Sequence, residues 1–209
     1  MKGLLLKDFY MLISYCRMVF IVMILLMGIA IVGHLDSNLF ILGYPNILAA
    51  MLPMSLVAYD EKEKWCIYSQ TLPVSKAQYV SAKYIMGLIL IFLAFLLSSG
   101  AFTVKQLING NFSWADYVGM LEFAAGGMIA SAVLMPFIFK FGSEKGRIVY
   151  FMILIAFFAT FFVISNVDVS LSLVIAITIN PGILVFLVGI FLYLLSWWIS
   201  VSLYEKREL

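Results

Sequence analysis

The sequence predicts an all-α integral membrane protein with six transmembrane helices, and three observations carry that reading. First, 65% of the 209 residues are hydrophobic and 11% charged, with a mean hydropathy of +1.10. A water-soluble domain carries about 25% charged residues because its surface faces water, so an aqueous globule is excluded. Second, the charges punctuate the chain at intervals near the ~20 apolar residues needed to cross ~30 Å of hydrocarbon. Third, the basic residues segregate to one side of the expected membrane. Two cysteines, 14 glycines and 5 prolines exclude a disulfide scaffold and a collagen-like repeat. A net charge of +2 gives no ground for nucleic acid as a partner. The chain reads as a single transmembrane domain over 1–209.

In chain order, the first element is an interfacial helix over 1–16. Gly3, Lys7, Tyr10, Ser14 and Arg17 recur at helical spacing and form one stripe. Leu5, Phe9, Leu12 and Cys16 line the opposite side, with Asp8 the one exception. Such a helix lies along the bilayer surface, its apolar side in the acyl chains and Lys2, Lys7 and Arg17 near the headgroups. The same segment also reads as a basic flank that orients the first span. Spans follow at about 18–35, 39–59, 84–104, 117–139, 148–167 and 182–204, each bounded by charges, with Glu122 inside the fourth. The stretch 169–204 has no charge, and as one helix it would be about 54 Å long, too much for one crossing. Asn180-Pro181-Gly182 breaks it. The piece 169–179 is therefore expected as a short outer-side element packed against neighbouring spans, with a seventh span as the alternative.

Six crossings put both termini and the 60–83 and 140–147 loops on one side. That side holds twelve of the 13 Lys and Arg residues, and only Lys105 lies opposite. The positive-inside rule makes it the cytoplasmic face of the cell membrane. The first apolar run is longer than a signal-peptide core and is followed by further spans, so it is not a cleavable signal. Cys16 and Cys66 both fall on the reducing side and are not expected to pair.

Chemistry has little room. There is no G-x-x-x-x-G-K-[ST] phosphate loop, and Gly142-Ser143-Glu144-Lys145-Gly146 lacks its spacing. His34 is the single histidine, so no H-E-x-x-H or histidine-based metal site can form. A G-x-S-x-G elbow is also missing. No catalytic residue, metal or cofactor is assigned to this chain.

The richest polar stretch is the 60–83 loop. It opens Asp60-Glu61-Lys62-Glu63-Lys64-Trp65, acids first, as a helix start favours, with Asp60 and Lys64 spaced for an i,i+4 pair. Trp65, Tyr68 and Leu72 form an apolar stripe, and Pro73 ends the element. Ser75-Lys76-Ala77-Gln78 reads as a capping box, so the next helix begins near Lys76. A short charged helix on the extension of a span suits docking a partner, although a solvated loop with an interfacial tryptophan fits the same pattern. Within the spans, Glu122 is the one acid well inside a hydrophobic run, either paired with Lys105 or lining a substrate path with it, or near enough to the outer interface to stay hydrated. Gly126-x-x-x-Ala130 and Gly127-x-x-x-Ser131 offer small-residue rows for close helix contact. Pro53 and Pro136 suggest kinks.

The run Tyr59–Trp65, then Leu72-Pro73-Val74-Ser75-Lys76, then Lys83-Tyr84, resembles the signature of the type-2 ABC export permeases. Within them it is similar to the short bacterial permeases of about six spans, such as the membrane subunits of phenol-soluble-modulin peptide exporters. The opening Met1–Asp8 and closing Leu203–Leu209 stretches resemble the same group. The resemblance implies that two such chains, identical or siblings, pair to make twelve spans. It implies that each docks a separate ABC ATPase subunit, which holds the ATP and magnesium. The coupling helix on that ATPase would be drawn from Asp60, Glu61, Lys62, Glu63, Lys64, Trp65, Tyr68, Leu72 and Pro73. The 169–179 piece would be the short outer-side helix before the last span, and the cargo an exported amphipathic peptide or other apolar substrate. Two other classes fit the architecture: a vitamin-type small-molecule uptake subunit, which needs convergent polar groups, and a non-transporting immunity or sensor protein.

Overall fold

The computed structural model describes residues 2–33, 38–71, 73–110, 114–143, 145–146, 148, 152 and 181–206. The described residues are helical. In order they form α1 (Lys2–Tyr15), α2 (Arg17–Val32), α3 (Asn38–Lys62), the one-turn α4 (Trp65–Tyr68) with a 3-10 turn at Ser69–Thr71, α5 (Lys76–Asn109), α6 (Trp114–Phe141) and α7 (Pro181–Glu205). The expected fifth span and the 169–179 element lie outside the described residues, save Ile148 and Met152.

Four stretches are long and apolar enough to cross a membrane: Ile41–Lys62, Lys76–Ile108, Tyr117–Phe141 and Gly182–Glu205. The first expected span differs. At 16 residues, α2 covers about 24 Å and falls short of the bilayer alone. It qualifies only together with α1, from which it is bent by 67°. The bend sits at Cys16, whose backbone leaves the helical region (φ −101°, ψ 9°). Its groups stay paired: its N–H donates to Leu12 O (2.9 Å), and its carbonyl accepts from Val19 N (2.9 Å).

The capping box anticipated at Ser75 is present. The Ser75 hydroxyl accepts from Gln78 N (3.2 Å) and the Gln78 side chain accepts from Ser75 N (3.3 Å), so α5 starts at Lys76. It ends at Gly110, whose φ of 69° is the left-handed conformation that glycine adopts freely. Helix α6 is central and packs on both α3 and α7. Gly127 permits the first contact, since an added Cβ would lie 2.9 Å from Asn46 O and 3.3 Å from Ala50 Cβ. The neighbouring row begins at Gly126, which meets nothing within 4 Å.

Several polar side chains inside the bundle are paired across helices, as an apolar medium favours. The Tyr84 hydroxyl bonds Ser196 and Ser200 at 2.7 Å each, Tyr193 donates to Tyr84 O (2.8 Å), and Ser196 donates to Ala132 O (2.5 Å). These bonds join α5, α6 and α7. Asn46 on α3, fully buried, donates to Ser98 Oγ on α5 (3.1 Å). The outward faces of α2, α5 and α7 are apolar, with Ile24, Leu97 and Phe191 among their exposed side chains.

Candidate functional site

The C-terminal ends of α3, α6 and α7 and the N-terminal end of α5 meet at one end of the bundle, where the described lysines other than Lys105 gather. The acids of the 60–65 run do not open a new helix there. Helix α3 continues to Lys62 and carries Asp60 in its last turn. Chain reversal comes two residues later at Lys64, at φ 54°, whose N–H donates to Glu61 O (3.1 Å). The expected Asp60–Lys64 pair does not form, because the Asp60 carboxylate is turned inward.

Asp60 is 1% exposed and accepts three charged or polar donors. Lys7 Nζ lies 2.5 Å from its Oδ1, and Lys83 Nζ lies 2.6 Å from its Oδ2. The Tyr79 hydroxyl donates to Oδ2 at 2.9 Å. Lys83, at 0% exposure, also donates to Asp8 Oδ1 (2.7 Å), and Lys7 approaches the same atom at 3.3 Å. Two cations and two anions thus form one closed, neutral group that ties α1, α3 and α5. Buried ion pairs contribute little net stability over apolar packing but enforce one arrangement, since leaving any member unpaired is costly. Trp65 joins the same group, with the Lys7 ammonium 4.5 Å from its ring centre.

This group changes the reading of α1. Asp8, the exception on the expected lipid side, is the centre of the protein-facing row Leu4–Asp8–Leu12. Leu12 and Cys16 are buried against α3 and α5 rather than in acyl chains. Lys7 points into the cluster, while Lys2 and Arg17 are exposed. Asp8, Tyr79 and Lys83 are the site residues that local pattern missed. The available signal was Asp8 itself, an acid on an apolar helix side with no local partner.

Around this cluster, the segment from Lys62 onward is the exposed part. Lys62, Glu63, Lys64, Tyr68 and Pro73 are exposed, and Trp65 is half-buried against the core with Tyr68 5.3 Å away, ring to ring. Leu72 lies outside the described residues. One bond closes the loop on itself and two tie its flanks to other parts of the bundle. Thr71 Oγ1 donates to Tyr68 O (2.8 Å), Ser143 N donates to Glu61 Oε2 (2.6 Å), and Lys76 Nζ donates to Glu205 O at the end of α7 (3.3 Å). Tyr79 stacks on Tyr204 of α7 at 5.4 Å, closing the same end.

Residues 3–205 match the family described as ABC-2 family transporter protein. The chain belongs to that family. No curated protein and no solved structure matches it. Membership makes this ABC-2 protein a multi-pass membrane component of a transporter, and it implies an ABC ATPase as partner.

Lys105 and Glu122 of the ABC-2 chain take separate helix ends. Lys105, 8% exposed, donates to Ala30 O (2.9 Å) and Gly33 O (3.3 Å), the last carbonyls of α2, where a cation opposes the negative end of the helix dipole. Glu122 is exposed and stands beside the first turn of α7, where a Cβ on Gly182 would lie 3.0 Å from its Oε1. Among the described residues the two form no ion pair, so the expected Lys105–Glu122 partnership is replaced by two helix-end contacts. Among the described residues, no group of three or more His, Cys, Asp or Glu is placed to hold a metal ion.

Proposed function

We propose that this ABC-2 protein is the membrane-spanning permease subunit of an ATP-driven exporter. It moves an amphipathic peptide or other apolar substrate out of the cytoplasm by alternating access, after pairing with a separate ATPase subunit that holds ATP and magnesium. In this reading two copies, or this chain and a sibling, enclose the path, both termini face the cytoplasm, and α1 lies at the membrane surface. The likeness of its 59–84 stretch to the phenol-soluble-modulin exporter subunits supports a peptide cargo. The contact with the ATPase comes from the exposed residues of the loop, Lys62, Glu63, Lys64, Tyr68 and Pro73. Asp60 works from behind as an anchor.

The observation that carries this reading is the buried group Lys7–Asp8–Asp60–Lys83. A chain without a phosphate-binding loop receives its work from outside, and force on a loop reaches a bundle only through a stiff joint. Here the joint joins the loop base to α1, α3 and α5 through four ion contacts of 2.5–3.3 Å. A push on the loop therefore turns these helices as a body, the rigid rocking that opens one side of a transporter and closes the other.

The test is co-purification and reconstitution. Affinity-tagged permease from its native membrane should carry a P-loop ATPase, and vesicles holding both should hydrolyse ATP faster when an amphipathic peptide is present and accumulate that peptide. Absence of an ATPase from the purified material, or transport of a hydrophilic sugar with no response to peptide, would overturn the reading.

A further inference from the structure

The helix start that follows Gly142, unexplained by any phosphate-loop spacing, is held by the last turn of α3. Gly142 closes α6 at φ 86°, with its N–H donating to Ile138 O (2.8 Å). Gly146 N donates to Gly142 O (2.9 Å). An added Cβ on Gly146 would lie 2.7 Å from Ile138 Cγ1 and 3.3 Å from Ile138 Cα, so glycine lets this helix start approach the end of α6 closely. Folded this way, Ser143 is 6% exposed and its N–H donates to Glu61 Oε2 at 2.6 Å. Successive side chains on a helix diverge by about 100°. Asp60 and Glu61 therefore face two ways, the first into the ion group and the second onto the helix start after α6.

We propose that Glu61 is a positioning residue that clasps the helix start at Ser143 to the end of α3, so that the exposed residues following each make one platform for the ATPase partner. This rests on the coupling role proposed above. A carboxylate accepting a backbone N–H is a short, charge-assisted bond that fixes direction as well as distance. The platform exposes Lys62, Lys64, Lys140 and Lys145 together with Glu63, which fits an acidic rim on the partner. Glu61 thus reaches the partner through the helix start at Ser143.

The test uses the full chain in lipid nanodiscs, with Cys16 and Cys66 replaced by alanine and K64C and K145C carrying spin labels. Pulsed electron paramagnetic resonance reads the width of the distance distribution between the labels. The parent should give a narrow distribution. E61A should broaden it at least twofold, and S143P, which removes the N–H donor together with the hydroxyl, should do the same. E61Q keeps an acceptor and should stay narrow, a rescue that a general packing defect would not show. Equal widths in the parent, E61A and S143P overturn the clasp, as does E61Q broadening as much as E61A. Failure of the coupling role shows separately, as absence of a bound ATPase, and leaves these widths unaffected.

Discussion

Lys83 illustrates how a single side chain is fixed by partners far along the chain. It is fully buried, with Asp8 and Asp60 at 2.7 and 2.6 Å. In K83M, Lys7 alone faces two buried carboxylates. The expected loss is about 3–5 kcal/mol, the usual cost of stripping one partner from a buried group, read as a lower midpoint of thermal unfolding in detergent. Adding D8N to K83M restores a balance of one cation and one anion and should recover part of the loss. If K83M unfolds like the parent, the four-charge group contributes nothing. Neither Asp8 nor Lys83 was legible as a partner in the sequence. They lie 75 positions apart, and helical periodicity reports only on neighbours within a turn or two. Asp60 was misplaced for a related reason. Acids followed by lysines read locally as a helix start, but three inward donors hold Asp60 in the last turn of α3.

Among the elements, agreement follows wherever local chemistry decides. The Ser75–Gln78 box begins α5 because its two bonds are made within four residues. Ser75→Ala should cost about 1 kcal/mol, measurable as faster hydrogen exchange over the first turn of α5 while its centre is unaffected. The small-residue rows of α6 were equally visible, but the side that faces α3 was not, because two adjacent glycines carry the same pattern. Gly127 is the contact and Gly126 is exposed. Gly127→Val should therefore part α3 from α6 and lower the unfolding midpoint. Gly126→Ala should be neutral or stabilising by up to about 1 kcal/mol, since alanine favours helix over glycine. Equal effects at the two positions would contradict the packing. The bend at Cys16 had no sequence signal of its own, having neither proline nor glycine.

At the scale of the molecule, composition alone dictated a membrane protein, and the family match over residues 3–205 agrees. The distribution of lysines gives the orientation to be tested. Peptide tags at both ends should be reached by protease only after the cytoplasmic side is opened, and a tag cleaved in intact cells would reverse the assignment. Sequence also marked the 60–73 stretch as the richest polar segment. It gave no sign that this stretch is tied to α1, to α5 and to Ser143 after α6, because each tie joins residues remote in the chain.

The composition of the Lys7–Asp8–Asp60–Lys83 joint has an electrical consequence. One unbalanced charge carried across the full membrane field exchanges about 2.3 kcal/mol with every 100 mV of potential. Two positive and two negative charges moving together exchange none. The joint can shift along the membrane normal in an energised or a collapsed cell with equal ease.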